Sequence, residues 1–530
     1  MSRILIADEL DPSGLELLRK DPDIEIYQLK KDERPRLPEI LGDFDALVVR
    51  SATKVTADLL QAGRKLKVVG RAGIGVDNVD VAAATRLGIL VVNAPTANLM
   101  SATEHTFALL LSLARRVPEA DASMKAGKWD RKLTGVELQG KTLGVVGFGR
   151  IGQRVAARAR GFEMQVVAFD PFLDPAVARR LEVELLPLDD VLRRADMITL
   201  HTPYSPETHN LISRERLALM KKGALLVNCA RGGILDEEAL LEALESGHLG
   251  GAALDVFSEE PPTDLRLVRH PKVVATPHLG AQTQEAQERI SKETAQMVLA
   301  ALAGSMAVAA VNLPFRPAGG KMDPYLSLGE KLGRMAFLLL GAPPQKLEVN
   351  TWGIDEAFRV PVAVAAVKGV LQPSAGDEVN YVNAELIAES RGIEVVRSTH
   401  GGQVDYPNLV AICLSGGGRT VEIDGTLFGE RDLRVVRFGG YPLEFRPEGK
   451  LLFIENRDVP GAVGKIGTLL AQHEINIADI HLARRPAGDK GELEALAVLR
   501  LDQDVDDKVM KELDELPVVR SARRVDLGKA

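Results

Sequence analysis

The stretch Lys141–Gly161, "KTLGVVGFGRIGQRVAARARG", decides the fold. Its first half is a short apolar run of the kind a strand buried on both faces of a parallel sheet requires. Its second half sets Gly147, Gly149 and Gly152 in GxGxxG spacing ahead of a helical pattern. The first glycine permits a tight turn and the second lets backbone approach a pyrophosphate. The third lets the helix pack close to the strand, and the helix N-terminus stabilises the phosphate charge. GxGxxG alone is a weak signal. Here an acid completes it: Asp170 in "VVAFDP" lies 18 residues beyond Gly152, against about 20 expected. Its carboxylate suits a ribose diol and repels a 2′-phosphate, so the expected cofactor is NAD and not NADP.

Working outward from this unit, "MQVVAFD", "DMITLHTP", "ALLVNCARGG", "GAALDVF" and "KVVATPHLG" continue the strand–helix alternation. Upstream, "RILIAD", "ALVVRS", "LKVVGRAG" and "ILVVN" build a separate α/β unit with its own sheet. The segment 101–116 reads as a helix, with Ser101 and Glu104 in a capping-box pattern. A further helix runs from Thr283 to near Gly304. If it packs back on the first sheet, the first lobe is discontinuous. The expected division is therefore a substrate lobe over 1–98 and 282–312 around an inserted Rossmann lobe over 99–281.

Two stretches dense in Pro and Gly, 312–324 and 437–450, read as breaks. They bracket an α+β intervening region, 317–446, in which no catalytic constellation is visible. Residues 451–530 give the order βαββαβ of a ferredoxin-like domain.

The chain has 530 residues, enough for roughly three or four domains. A net charge of −8 without a Lys/Arg block argues against a nucleic-acid partner. Two cysteines, Cys229 and Cys413, make neither a disulfide framework nor a metal cluster. No apolar run is long enough to span a bilayer, and the start "MSRILIADEL" turns acidic too soon for a secretory signal. The expectation is a cytoplasmic enzyme with no metal, membrane or nucleic-acid partner.

Three chemistries sit at the expected carboxyl ends of strands: Arg231 in "NCARGG", Glu260 in "DVFSEEPP" and His278 in "PHLG". Hydride transfer to or from a 2-hydroxy acid needs a proton carrier, a cation for the carboxylate and an acid to orient the imidazole. Each residue alone has an ordinary reading as a helix-capping cation, a solvated acid or a turn histidine. Together, downstream of a nucleotide site, they point to a dehydrogenase.

The stretch from Met1 to about Asn312 resembles the D-isomer-specific 2-hydroxyacid dehydrogenases. The motifs are "VVRSATKVT", "RAGIGVDNVD", "NAPTANLMSATEH", "VGFGRIG", "LHTP", "NCARGG", "DVFSEEPP" and "PHLGAQTQEAQ". With its two further domains the chain resembles the long phosphoglycerate-oxidising branch, which ends in an ACT domain. That resemblance implies a catalytic set of Arg231, Glu260 and His278. It implies NAD contacts at Arg150, Ile151, Asp170, Thr202, Cys229, Ala230, Arg231, Asp255, His278, Leu279, Gly280 and Ala281. At Ile74, where many members have threonine, it implies only a backbone or apolar contact. Cys229 is then a pocket wall and not a nucleophile.

For a substrate carrying both a carboxylate and a phosphate, 3-phosphoglycerate, the resemblance implies Arg50, Ser51, Arg71 and Gly73. Arg131 reaches toward a neighbouring subunit's site, since the family dimerises through this region into dimers or tetramers. In the last domain, Asp458 and Asn476 are the expected effector residues for L-serine, and Asn456 stands where some relatives present an aromatic side chain. NAD-sensing corepressors share the dehydrogenase fold, and glycerate, formate and lactate dehydrogenases share the triad. The appended βαββαβ domain separates this chain from all of them.

Overall fold

The N-terminal apolar runs form five parallel strands: Ser2–Ile6, Ile24–Gln28, Ala46–Val49, Val68–Arg71 and Leu90–Asn93. Helices lie on both faces, so Ala46–Val49 is buried at every position. The computed structural model describes residues 1–305, 310–317, 320–402, 405–487 and 492–528. Ala318 and Gly319 of the first expected break, and the terminal Lys529 and Ala530, lie outside the described residues.

A second sheet has seven parallel strands. Thr142–Val146 lies between Gln165–Phe169 on one side and Met197–Leu200 on the other, so the strand order reverses beside it. A crevice opens at the carboxyl ends of the strands at such a point. Helix Gln284–Leu302, capped by Thr283, returns to pack on helix Pro12–Arg19 and strand Val68–Arg71. Helix Leu99–Ala114 instead packs on strands Leu225–Asn228 and Gly251–Leu254 of the second sheet. We therefore propose the division 1–98 with 282–312 around 99–281.

The expected capping box is not formed. The helix begins at Leu99 behind Asn98, and Ser101 lies one turn inside it, 4% exposed. Burial of Leu99 on the apolar face extends the helix over two residues that the capping pattern left out.

Residues 323–445 hold two packed helices, Asp323–Leu340 and Glu356–Ala375, against a six-stranded mixed sheet. The expected break at 437–450 is in part a hairpin. Gly439 and Gly440 both take positive φ, as a two-residue turn between antiparallel strands requires, and Phe438 pairs with Tyr441. Strand Tyr441–Phe445 then alternates buried and exposed residues.

The last unit is βαββαβ: Lys450–Arg457, Ala462–Gln472, Ile477–Ala487, Glu492–Leu501, Asp507–Glu515 and Val519–Asp526. Its antiparallel sheet places the first strand between the third and the fourth. One face packs on its own helices. The other meets the intervening sheet, where the Phe453 ring lies 5.0 Å from Phe438 and 5.9 Å from Phe445. Among the described residues, no helix is long and apolar enough to cross a membrane.

The intervening unit is tied to the first lobe through Asn380, whose Nδ2 donates to the Gly88 carbonyl at 2.7 Å. Beside that contact, Glu330 accepts from Lys368 Nζ and from Tyr381 Oη, both at 2.8 Å, and the ammonium sits 4.5 Å from the Tyr381 ring centre. The Lys368 side chain is only 16% exposed. Removing its counter-charge leaves a desolvated cation and an unpaired hydroxyl, at a cost of about 1–3 kcal/mol. Glu330→Ala is therefore expected to lower the thermal midpoint of the full chain by several degrees, and Glu330→Gln by less. Calorimetry of the two variants checks this.

Candidate active site

The strand ends at the mouth of the second sheet carry the expected groups. After Thr142–Val146 the chain turns at Gly147, with φ +91°, and enters helix Arg150–Gly161 behind Gly149. A side chain at Gly152 would place its Cβ 2.2 Å from the Gly147 carbonyl oxygen, so helix and turn touch backbone to backbone. Nothing lies within 4 Å of a Cβ built on Gly149. Asp170 braces the turn by accepting from the Phe148 N–H at 2.9 Å and the Phe172 N–H at 3.0 Å. At the end of strand Met197–Leu200, the Thr202 hydroxyl is buried and has no hydrogen-bond partner. An uncapped helix start, open space above Gly149 and an orphaned hydroxyl are what a bound pyrophosphate and its riboses would complete. The residues present fit NAD. Arg150 and Ile151 open the helix beside this space, and Arg150 also reaches the Pro95 carbonyl at 3.3 Å.

His278 and Glu260 meet. Nδ1 of the imidazole lies 2.7 Å from Glu260 Oε2, and both side chains are partly exposed, 46% and 37%. Burial pushes the Glu260 carboxyl up, but its hydrogen bond and charge contact with His278 outweigh this, and the group is held below the usual carboxylate range. Glu260 Oε1 also accepts from the Phe257 N–H at 3.1 Å.

Arg231 follows strand Leu225–Asn228, and Asn228 shapes its turn by accepting from the Ala230 N–H and donating to the Arg231 carbonyl. Its guanidinium crosses to the first lobe, where Nε donates to Asp77 at 3.1 Å. Arg71, on the facing strand end, is pushed down to about 10 by burial and by the neighbouring charges of Arg231 and Arg50. Arg50 and Arg231 add to the electrostatic cost of the Arg71 charge, and Asp77 and Asp8 offset part of it. Gly73 stands at φ +147°, where a Cβ would strike the Arg71 guanidinium. The Ile74 carbonyl is taken by Asn93 Nδ2 at 2.5 Å. Ser51 is exposed beside Arg50.

Asp255 is 1% exposed and organises the loop that carries His278. It accepts from Thr276 Oγ1 at 2.6 Å, the Leu279 N–H at 2.7 Å, the Gly280 N–H at 2.9 Å and His105 Nε2 at 3.0 Å. Burial raises its pKa, but these donors overcome that and hold it at about 2. His105, Cys229 and Asp255 present ligand atoms within 4.8 Å of one another. Four donors already occupy the carboxylate, so we read this cluster as a hydrogen-bonded hub. Cys229 is half-buried, and burial together with the Asp255 charge pushes its thiol up, which keeps it protonated. Ala281 packs in a small apolar cluster with Ala72 and Ile290.

Some residues stand apart. Arg131 lies on the largely exposed segment 128–137. Asp458 and Asn476 are at opposite ends of the last sheet, since strands Lys450–Arg457 and Ile477–Ala487 run parallel on either side of Glu492–Leu501. Asp458 pairs with Arg484 at 3.0 Å, and Asn476 Nδ2 donates to Asp502 at 2.6 Å. Asn456 is 3% exposed and its Oδ1 has no partner.

Reading the sequence by motif missed His105, Thr276, Asp77 and Asn78. Asn78 donates to the carbonyls of Arg50 and Thr53, both at 2.6 Å, and accepts from Arg71 Nε at 3.4 Å, so it fixes both arginine loops. The polar residues inside "GVDNVD" and "SATEHTF" were the available signal.

The D-isomer specific 2-hydroxyacid dehydrogenase NAD binding domain matches residues 107–280. The D-3-phosphoglycerate dehydrogenase intervening domain matches 321–439 and the ACT domain 450–518. A D-3-phosphoglycerate dehydrogenase of Bacillus subtilis (strain 168) is 41% identical over 99% of this chain and 100% of its own length. The chain belongs to the D-3-phosphoglycerate dehydrogenase family. A Mycobacterium tuberculosis (strain H37Rv) enzyme of the same name is 44% identical over 96% of both chains. Solved structures match a little more than half of the chain. A Thermus thermophilus protein has TM-score 0.54 and 38% identity, covering 58% of this chain and 99% of that one. A D-lactate dehydrogenase from Aquifex aeolicus, complexed with NAD and lactic acid, has TM-score 0.52 and 32% identity over 57% of this chain and 95% of its own. Membership of the D-3-phosphoglycerate dehydrogenase family makes this protein an oxidoreductase that uses NAD.

Asp255 titrates at about 2 in the folded chain against an ordinary 3.8. A depressed carboxylate stabilises the fold above its unfolded value and loses that contribution as pH falls toward the folded one. The shift is worth about 2 kcal/mol. Between those two values the thermal midpoint of the wild type should fall more steeply with acid than that of Asp255→Asn. Melting curves across this pH range check it.

Proposed function

We propose that this enzyme oxidises D-3-phosphoglycerate to 3-phosphohydroxypyruvate, the first step of the phosphorylated route to L-serine. The observation that carries the reading is the 2.7 Å His278–Glu260 pair facing the cleft that Arg231 spans. Nδ1 carries a proton toward Glu260, which leaves Nε2 with the lone pair for the C2 hydroxyl. His278 takes that proton during oxidation and returns it during reduction. Glu260 fixes the tautomer and stabilises the imidazolium. Bound NAD supplies the hydride acceptor. Arg231 holds the substrate carboxylate in place of Asp77, and Arg50, Ser51 and the Arg71–Gly73 loop receive the phosphate. The mutual repulsion of Arg50, Arg71 and Arg231 favours a substrate with two anionic groups over one with a carboxylate alone. Asp170 sets the preference for NAD.

The two cysteines, both free, support a reducing, cytoplasmic setting. Exposed apolar side chains at Val117, Met124, Trp129 and Val136 support a homodimer or tetramer assembled through this segment, with Arg131 reaching the neighbour's site. The intervening unit serves regulation or assembly. A cavity of about 200 Å³ between it and the last domain is lined by Arg434, Arg446, Arg500 and His481 and by Glu448 and Asp479, and its three arginines against two acids support an anionic effector there. The ACT unit binds L-serine between two subunits: antiparallel pairing of the edge strands Ile477–Ala487 brings Asn476 of one toward the Asp458 end of the other.

Two outcomes are expected. His278→Asn should lower kcat by about 10²-fold or more while NADH affinity, read by fluorescence titration, stays within a few-fold. Near-normal turnover would sink the assignment. L-serine should inhibit the full-length enzyme and inhibit Asn476→Ala less. Equal inhibition of both leaves the ACT unit with an assembly role alone.

A further inference from the structure

His105 lies on helix Leu99–Ala114, the segment through which the chain passes from the first lobe into the second. Its side chain is 18% exposed and that of Asp255 1%. Nε2 is 3.0 Å from Asp255 Oδ1 and 3.2 Å from Thr276 Oγ1. The Thr276 hydroxyl gives its own proton to the same carboxylate oxygen. An ionised carboxylate only accepts, so Nε2 of His105 carries the hydrogen.

The remaining donors to Asp255 come from the loop of His278. Leu279 and Gly280, which directly follow the catalytic histidine, give their N–H groups to Oδ1 and Oδ2. The N–H of His278 itself donates to the Asp255 carbonyl oxygen at 2.9 Å. His278 stands at φ +56°. A residue with a Cβ holds that left-handed conformation only when its surroundings impose it. The imposing group is Asp255, and the side chain that fixes Asp255 from the far side is His105.

We propose that His105 is a positioning residue for the dehydrogenase reaction. By donating to Asp255 from the crossover helix, it holds the His278 loop so that the imidazole stays paired with Glu260 and aimed into the cleft. It ties the placement of the catalytic group to the helix joining the lobes. The proposal rests on the reading of His278 as the acid–base group.

The test compares His105→Ala, which removes the donor, with His105→Gln, whose amide restores an N–H at a similar reach. His105→Asn, too short to reach Asp255, stands in for alanine should that variant not fold. Two quantities are read on the full chain. One is kcat and KM with NAD and phosphoglycerate. The other, on nucleotide-free protein, is the iodoacetamide labelling rate of Cys229, followed by mass spectrometry, because its Sγ lies 3.7 Å from Asp255 Oδ2. A misplacement of about 1 Å costs up to about 10²-fold in rate. The alanine or asparagine variant should lose about tenfold or more in kcat, keep KM for phosphoglycerate within about threefold and label faster at Cys229. The glutamine variant should return both quantities toward wild type.

Near-normal kcat in a folded alanine or asparagine variant overturns the proposal. So does a glutamine variant that loses as much as alanine. His278→Asn is assayed alongside. Its failure to lose turnover overturns the acid–base reading and this proposal with it. Its loss of turnover beside a fully active His105→Ala overturns the positioning role alone.

Discussion

Parallel strands cannot be joined by a tight turn, and each crossover must bring the chain back to the same starting edge. Every strand of a lobe therefore ends on one side. That constraint assembles this active site. Residues 147–152, 170, 202, 229–231, 255–260 and 276–280 are spread over more than a hundred positions, yet each follows the end of a strand of the seven-stranded sheet. The first sheet obeys the same rule and presents Arg50 and Arg71 from its own strand ends. The two lobes meet mouth to mouth, and the Arg231–Asp77 bridge spans the gap.

Within the cleft, the electrostatics separate into two regions. The first-lobe side is cationic, with Arg71 pushed down by burial and by the neighbouring charges of Arg231 and Arg50. The second-lobe side holds a buried carboxylate, Asp255, whose charge is met by side-chain and backbone donors. Such a group is expensive to bury unless every lone pair is used. Here the cost is offset by the order it imposes on the loop of His278.

The C-terminal half follows a different logic. Its mixed and antiparallel sheets share a core through Phe438, Phe445 and Phe453, so the ACT unit is mounted on the intervening unit and not free on a tether. Asn380 then links the intervening unit to the first lobe at the Gly88 carbonyl, beside the Glu330–Lys368–Tyr381 network inside that unit. A contiguous set of packed groups thus runs from the last domain to the lobe that carries Arg50 and Arg71.

The sequence by itself determined the two α/β lobes and the nucleotide loop and singled out Asp170, Arg231, Glu260 and His278 as candidates, because each is written in local signals. Strand runs, glycine spacing and a histidine behind a proline are all readable within about a dozen residues. Tertiary structure alone decided the rest. The helix starting at Leu99 and not at Ser101 depends on which face the core covers, and the hairpin at Gly439–Gly440 depends on a neighbouring strand to pair with. His105 and Asp255 are 150 positions apart, and Asn78 serves two loops at once. Hydrogen bonds between residues so far apart leave no periodicity along the chain, since only folding makes the donor and acceptor neighbours.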